Sequence, residues 1–95
     1  MTQSVQRAGE NGFANMIGLV GDIARALVDF PENVFVEAFN QEDSTVIRLR
    51  VAPSDIGKVI GKQGRTARSM RTILAAASMK LKHRFALDIV EEQSE

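Results

Sequence analysis

Ile56-Gly57-Lys58-Val59-Ile60-Gly61-Lys62-Gln63-Gly64-Arg65 is the stretch from which the rest of this 95-residue chain can be read. Upstream of its paired glycines, Pro53 suits the first turn of a helix, and Ile56, Val59 and Ile60 sit at i, i+3 and i+4. Downstream, Ala67, Met70, Leu74, Ala77 and Leu81 repeat with spacing 3, 4, 3, 4, which predicts a longer helix over 65–82. Gly61 and Gly64 interrupt the periodicity, so a Gly-x-x-Gly turn joins two helices. Such a turn suits a phosphate. Its glycines lack Cβ and let a backbone approach. The free N–H groups and positive dipole end of the second helix point at it. Lys62 and Arg65 add mobile charge, and Ile56, Val59 and Ile60 supply an aliphatic wall on which a base can lie.

Working upstream, Val34 to Phe39 alternates as a strand, with Val34, Val36 and Ala38 on one side and Phe35, Glu37 and Phe39 on the other. Asn40-Gln41-Glu42-Asp43-Ser44 is a polar turn. Thr45 to Val51 forms the second strand, with Ile47, Leu49 and Val51 opposite Arg48 and Arg50. The short connection makes an antiparallel hairpin. Met16, Leu19, Val20, Ile23 and Leu27 share one helical face, giving a helix over 14–30 that Pro31 stops. Working downstream, Arg84 to Val90 is a third strand with Phe85, Leu87 and Ile89 facing inward.

The order is α-β-β-α-α-β. A right-handed helical crossover lets the last strand lie parallel to the second. The expected fold is α+β: a three-stranded mixed sheet with three helices on one face, and nothing left to cover the face carrying Arg48 and Arg50. Residues 1–13 read as a flexible arm, 14–90 as the domain, and 91–95 as an acidic tail.

Charge sharpens the picture. The formal net charge is zero, yet residues 1–47 carry −5, residues 48–84 carry +9 and residues 85–95 carry −4. A basic block attracts polyanions locally whatever the total. Hydrophobic residues make up 44% and charged residues 25%, as in a folded soluble domain rather than a disordered tail. With no Cys and one His, thiolate chemistry, disulfides and Cys-based zinc sites are excluded, and no cofactor or metal is expected. No apolar run is long enough to span a membrane, and no signal peptide is visible, so a cytoplasmic location is expected.

Gly57-Lys58-Val59-Ile60-Gly61-Lys62-Gln63-Gly64 resembles the signature of K-homology (KH) RNA-binding domains, and the element order resembles their bacterial type II form. Leu27-Val28-Asp29 before Pro31, then Ser44-Thr45-Val46 and Leu49-Arg50-Val51-Ala52-Pro53, are similar to the small single-KH bacterial proteins of the KH domain protein A (KhpA) family. The resemblance covers about residues 15–90. It implies an RNA-binding, non-enzymatic protein with an RNA-chaperone role tied to cell division and cell shape. It also implies pairing with itself or with a KH domain protein B-like partner. In KH domains the turn clamps about four nucleotides. Carried over, Gly61, Lys62, Gln63 and Gly64 hold phosphates, Lys58, Arg65 and Arg68 extend the positive track, and Ile56, Gly57, Val59 and Ile60 line the base side. Where many KH domains carry a large aliphatic three residues after the second glycine, this chain has Ala67. None of the five Phe lies between residues 40 and 84, and Trp and Tyr are absent. Stacking on an aromatic ring is thus missing from the motif, which implies modest affinity and broad sequence tolerance.

Other readings are weaker. A phosphate-binding P-loop needs four residues between its glycines and then Lys-Ser/Thr. Gly57 is followed by three residues before Gly61, and Lys62 by Gln63. His83 reads as a helix-end or strand-edge residue, and Met16, Met70 and Met79 as filler. The alternative function is a protein-interaction or dimerisation module in which the glycine turn is only structural, with a surface built from Met16, Ile17, Val20 and the glycines Gly18 and Gly21.

Overall fold

The computed structural model describes the backbone of residues 8–91 and the side chains of 14–91. Helix α1 (Ala8–Leu27) leads into strands β1 (Phe35–Asn40) and β2 (Ser44–Arg50). Helices α2 (Ile56–Ile60) and α3 (Arg65–Leu81) and strand β3 (Arg84–Ile89) complete the order α-β-β-α-α-β. Short 3-10 turns at Pro31–Asn33, Pro53–Asp55 and Lys62–Gly64 join them.

The sheet is mixed, in the order β1-β2-β3. β1 runs antiparallel to β2, with Phe35 opposite Arg50 and Asn40 opposite Thr45. β3 runs parallel to β2, from Ser44 opposite Arg84 to Leu49 opposite Ile89. The hairpin closes through the Gln41 N–H on the Ser44 carbonyl at 2.7 Å. Central β2 alternates fully: Thr45, Ile47 and Leu49 are buried, and the residues between them are not. Ile47 and Leu49 meet Val20 and Ala24 of α1, Val59 of α2, Met70 and Leu74 of α3, and Phe85 and Leu87 of β3. Burying such side chains drives the packing of all three helices on one face of the sheet.

Two sequence expectations change. Helix α1 begins at Ala8, so residues 8–13 belong to it rather than to an arm. That stretch has no apolar face to announce it, but lengthening an existing helix costs far less than nucleating one. The arm expected over residues 1–7 and the tail over 92–95 lie outside the described residues. The helix also stops at Leu27 rather than at residue 30. Phe30 takes φ −121° and ψ 74°, because a residue before proline is pushed out of the helical region.

The interaction surface imagined on α1 is largely spent. Val20 is buried in the core, and Met16 and Ile17 pack against it.

At the far end of the sheet, the Thr45 hydroxyl donates to Asn40 Oδ1 at 2.8 Å and lies 2.7 Å from His83 Nε2. His83 is therefore a strand-edge tether.

Candidate nucleic-acid interface

Helix α2 is a single turn and a half, too short to hold its own orientation. Asp55 fixes it. This carboxylate is 0% exposed and accepts the N–H of Asp29 at 3.1 Å and of Phe30 at 3.0 Å. It thus ties the corner after α1 to the start of α2. Lys58 Nζ lies 3.8 Å from Asp55 and 3.4 Å from Asp29. Lys58, expected in the positive track, is held by two carboxylates on the side of the α1 corner.

Val59 is 0% exposed and sits in the core, so it presents no wall to a base. Ile56 is half-buried, Gly57 is exposed, and Ile60 lines an open groove.

The two glycines of the turn serve different needs. Gly61 has φ 84°, and a Cβ there would collide with the Thr66 side chain and come within 2.7 Å of its backbone nitrogen. Gly64 has φ 74° and ψ 13°, yet a Cβ on it would meet nothing within 4 Å. Gly61 is thus required by internal packing, and Gly64 by its left-handed backbone beside empty space. Between them Gln63 also takes a left-handed conformation, φ 58° and ψ 25°, which costs a non-glycine about 1 kcal/mol or more. The Gly64 N–H closes the turn on the Gly61 carbonyl at 3.0 Å.

Helix α3 starts immediately afterwards with no side-chain cap on its first N–H groups. Uncapped N–H groups and the helix dipole favour an anion there. Lys62, Gln63 and Arg65 are exposed around the turn. Among the described residues, neither Lys62 nor Arg65 has a carboxylate partner. Arg68 turns back to donate to the Gln63 carbonyl at 3.4 Å, bracing the turn from α3.

A groove of about 480 Å³ leads away from Gly64. One wall is Ile60, Arg68 and Arg71; the other is the edge of β3 with Asp88, Ile89 and the following Glu91. Ala67 forms its buried floor, and its small size leaves the groove open there.

Of the residues expected from sequence, the structure brings Ile60, Gly64 and Arg68 to this groove, with Lys62, Gln63 and Arg65 beside its mouth. Arg71 and the β3 edge were missed. The helical repeat placed Arg71 seven residues after Gly64, hence on the same face. Nothing local announced that β3 forms the opposite wall.

Comparison with known proteins places the chain in a family. The family model for the KH domain of KhpA/KhpB matches residues 18–89. The chain is 50% identical over 72 residues to the RNA-binding protein KhpA of Caldanaerobacter subterraneus, covering 76% of this chain and 96% of that protein. It is 51% identical over 73 residues to the RNA-binding protein KhpA of Halalkalibacterium halodurans, covering 77% and 96%. Against the RNA-binding protein KhpA of Treponema pallidum the identity is 48% over 73 residues, covering 77% and 91%. No solved structure matches the chain. With the matched region running from within α1 to the end of β3, and the fold that of a type II KH domain, the chain belongs to the KhpA/KhpB KH-domain family.

Proposed function

We propose that this protein is a non-enzymatic RNA-binding protein that holds single-stranded RNA in the groove beside the Gly61–Gly64 turn. The observation that carries the reading is the open groove starting at an uncapped helix N-terminus, with Lys62 and Arg65 unpaired by carboxylates at its mouth. Phosphates sit on the turn and the first N–H groups of α3, with Lys62 and Arg65 closing on them. Bases lie against Ile60 and the Ala67 floor. The absence of an aromatic ring along these walls keeps affinity for one copy modest.

The RNA-chaperone role, the tie to cell division and cell shape, the cytoplasmic location and pairing with itself or a second KH protein are part of this proposal. Their support is family membership. Among the described residues, no helix is long and apolar enough to cross a membrane, and no group of His, Asp and Glu is placed to hold a metal.

The direct test is fluorescence anisotropy with short single-stranded RNA at several salt concentrations. Phosphate contact predicts that log K falls with log salt by about 0.7 per contact. Binding that is absent, or indifferent to salt, would leave the protein-interaction reading as the better one.

A further inference from the structure

Arg71 stands at the end of the groove away from the glycine turn, about two helical turns along α3 from Gly64. It reaches across to β3 and donates Nη2 to the Leu87 carbonyl at 3.1 Å. That carbonyl lies on the outer edge of the sheet. The N–H groups of Arg84 and Val90 are directed to Asp43 and Leu49, so the backbones of the intervening odd-numbered residues turn outward. The Phe85 N–H on this edge is taken by Ser78 Oγ at 3.0 Å. Arg71 therefore closes the groove, with its guanidinium fixed by a backbone atom.

The guanidinium carries five donors, four of them in two forks, and each fork contains a different Nη2 hydrogen. One Nη2 hydrogen is spent on Leu87. One complete two-pronged fork remains on an exposed side chain, and no carboxylate pairs with it among the described residues. Phosphate is a poor partner at this depth. The anion-favouring N–H groups lie at the other end of α3, and the facing wall includes the acidic Glu91. A base edge fits instead.

We propose that Arg71 is a specificity-determining residue that reads bases offering two adjacent acceptors. Guanine offers N7 and O6, and cytosine offers N3 and O2. On adenine and uracil every acceptor is flanked by a donor or by C–H, so a fork cannot close on them. This rests on the RNA-binding reading above and narrows the expected broad tolerance at one position of the bound strand.

The test uses the full chain and heptamers of uridine that carry one central C, G, A or U. Wild-type protein should bind the C and G oligomers about tenfold more tightly than the A and U oligomers, the discrimination expected of one bidentate pair. Arg71→Lys keeps the charge but loses the fork. It should remove that preference, so that the four oligomers bind alike. Arg71→Gln should do the same for the preference, and thermal unfolding confirms that each variant is folded. A wild type that binds all four equally overturns this inference alone, whereas one that binds none overturns the RNA reading with it. A preference that survives in Arg71→Lys, or a uniform loss in Arg71→Gln with a salt slope shallower by about 0.7, makes Arg71 a brace or a phosphate contact instead.

Discussion

The groove side and the open face of the sheet draw on the same run of basic residues and treat them oppositely. Among the described residues on the groove side, Lys62 and Arg65 lack carboxylate partners, and the Arg68 and Arg71 guanidinium groups hydrogen-bond only to backbone carbonyls. On the open face Arg48 pairs with Asp88 at 3.2 Å and lies 4.7 Å over the Phe39 ring, and Arg50 approaches Glu37 at 3.8 Å. The register explains the second case. Glu37, Arg48 and Asp88 fall in one row across the three strands, so opposite charges meet by construction. The lesson is that a count of positive residues does not measure a site for polyanions; what matters is which charges remain uncommitted. The open face is nonetheless apolar in part, with Phe35 58% and Phe39 44% exposed.

The contrast can be broken most forcefully at the turn. Replacing Lys62→Asp and Gln63→Asp together should abolish measurable RNA binding, on the order of a hundredfold loss or more, while the circular dichroism spectrum stays native. Retained binding would move the phosphate seat elsewhere.

Next in size is the support beneath α2. Asp55→Ala leaves the part-buried Asp29 and Phe30 N–H groups without their acceptor and loosens Lys58, so urea unfolding should show a loss of about 2 kcal/mol. A loss below about 1 kcal/mol would mean that α2 is held by packing alone.

Arg68→Ala is expected to weaken binding several-fold for all sequences alike and to make the salt slope shallower by about 0.7. A loss confined to one sequence would recast Arg68 as a base reader.

The smallest effect belongs to the sheet face. Arg48→Ala combined with Arg50→Ala should change stability by about 1 kcal/mol or less, since both pairs are part-exposed. RNA affinity should move by less than about twofold. If it falls as far as in Arg68→Ala, the two faces are not functionally distinct and the comparison fails.

Much of the fold was legible because its signals are local. Alternation marked β1 and β2, a 3-4 repeat marked α3, and two glycines marked the turn between helices. The site was legible only in its turn. Val59 and Ile60 are neighbours with the same chemistry, yet one is core and the other borders the groove, which depends on where α2 is docked. Lys58 looked as available as Lys62 until Asp29 and Asp55 were brought beside it from the α1 corner and the turn before α2. The start of α1 was illegible because its first turns carry no apolar stripe.

Composition and spacing by themselves determined that this chain forms an α+β fold with a glycine turn between two helices, because periodicity and backbone freedom are properties of neighbouring residues. Tertiary structure decided which cations stay available, that the edge of β3 walls the groove, and that Arg71 closes it. Those outcomes depend on residues far apart in sequence being brought within hydrogen-bonding distance, and only the packed sheet and helices set such distances.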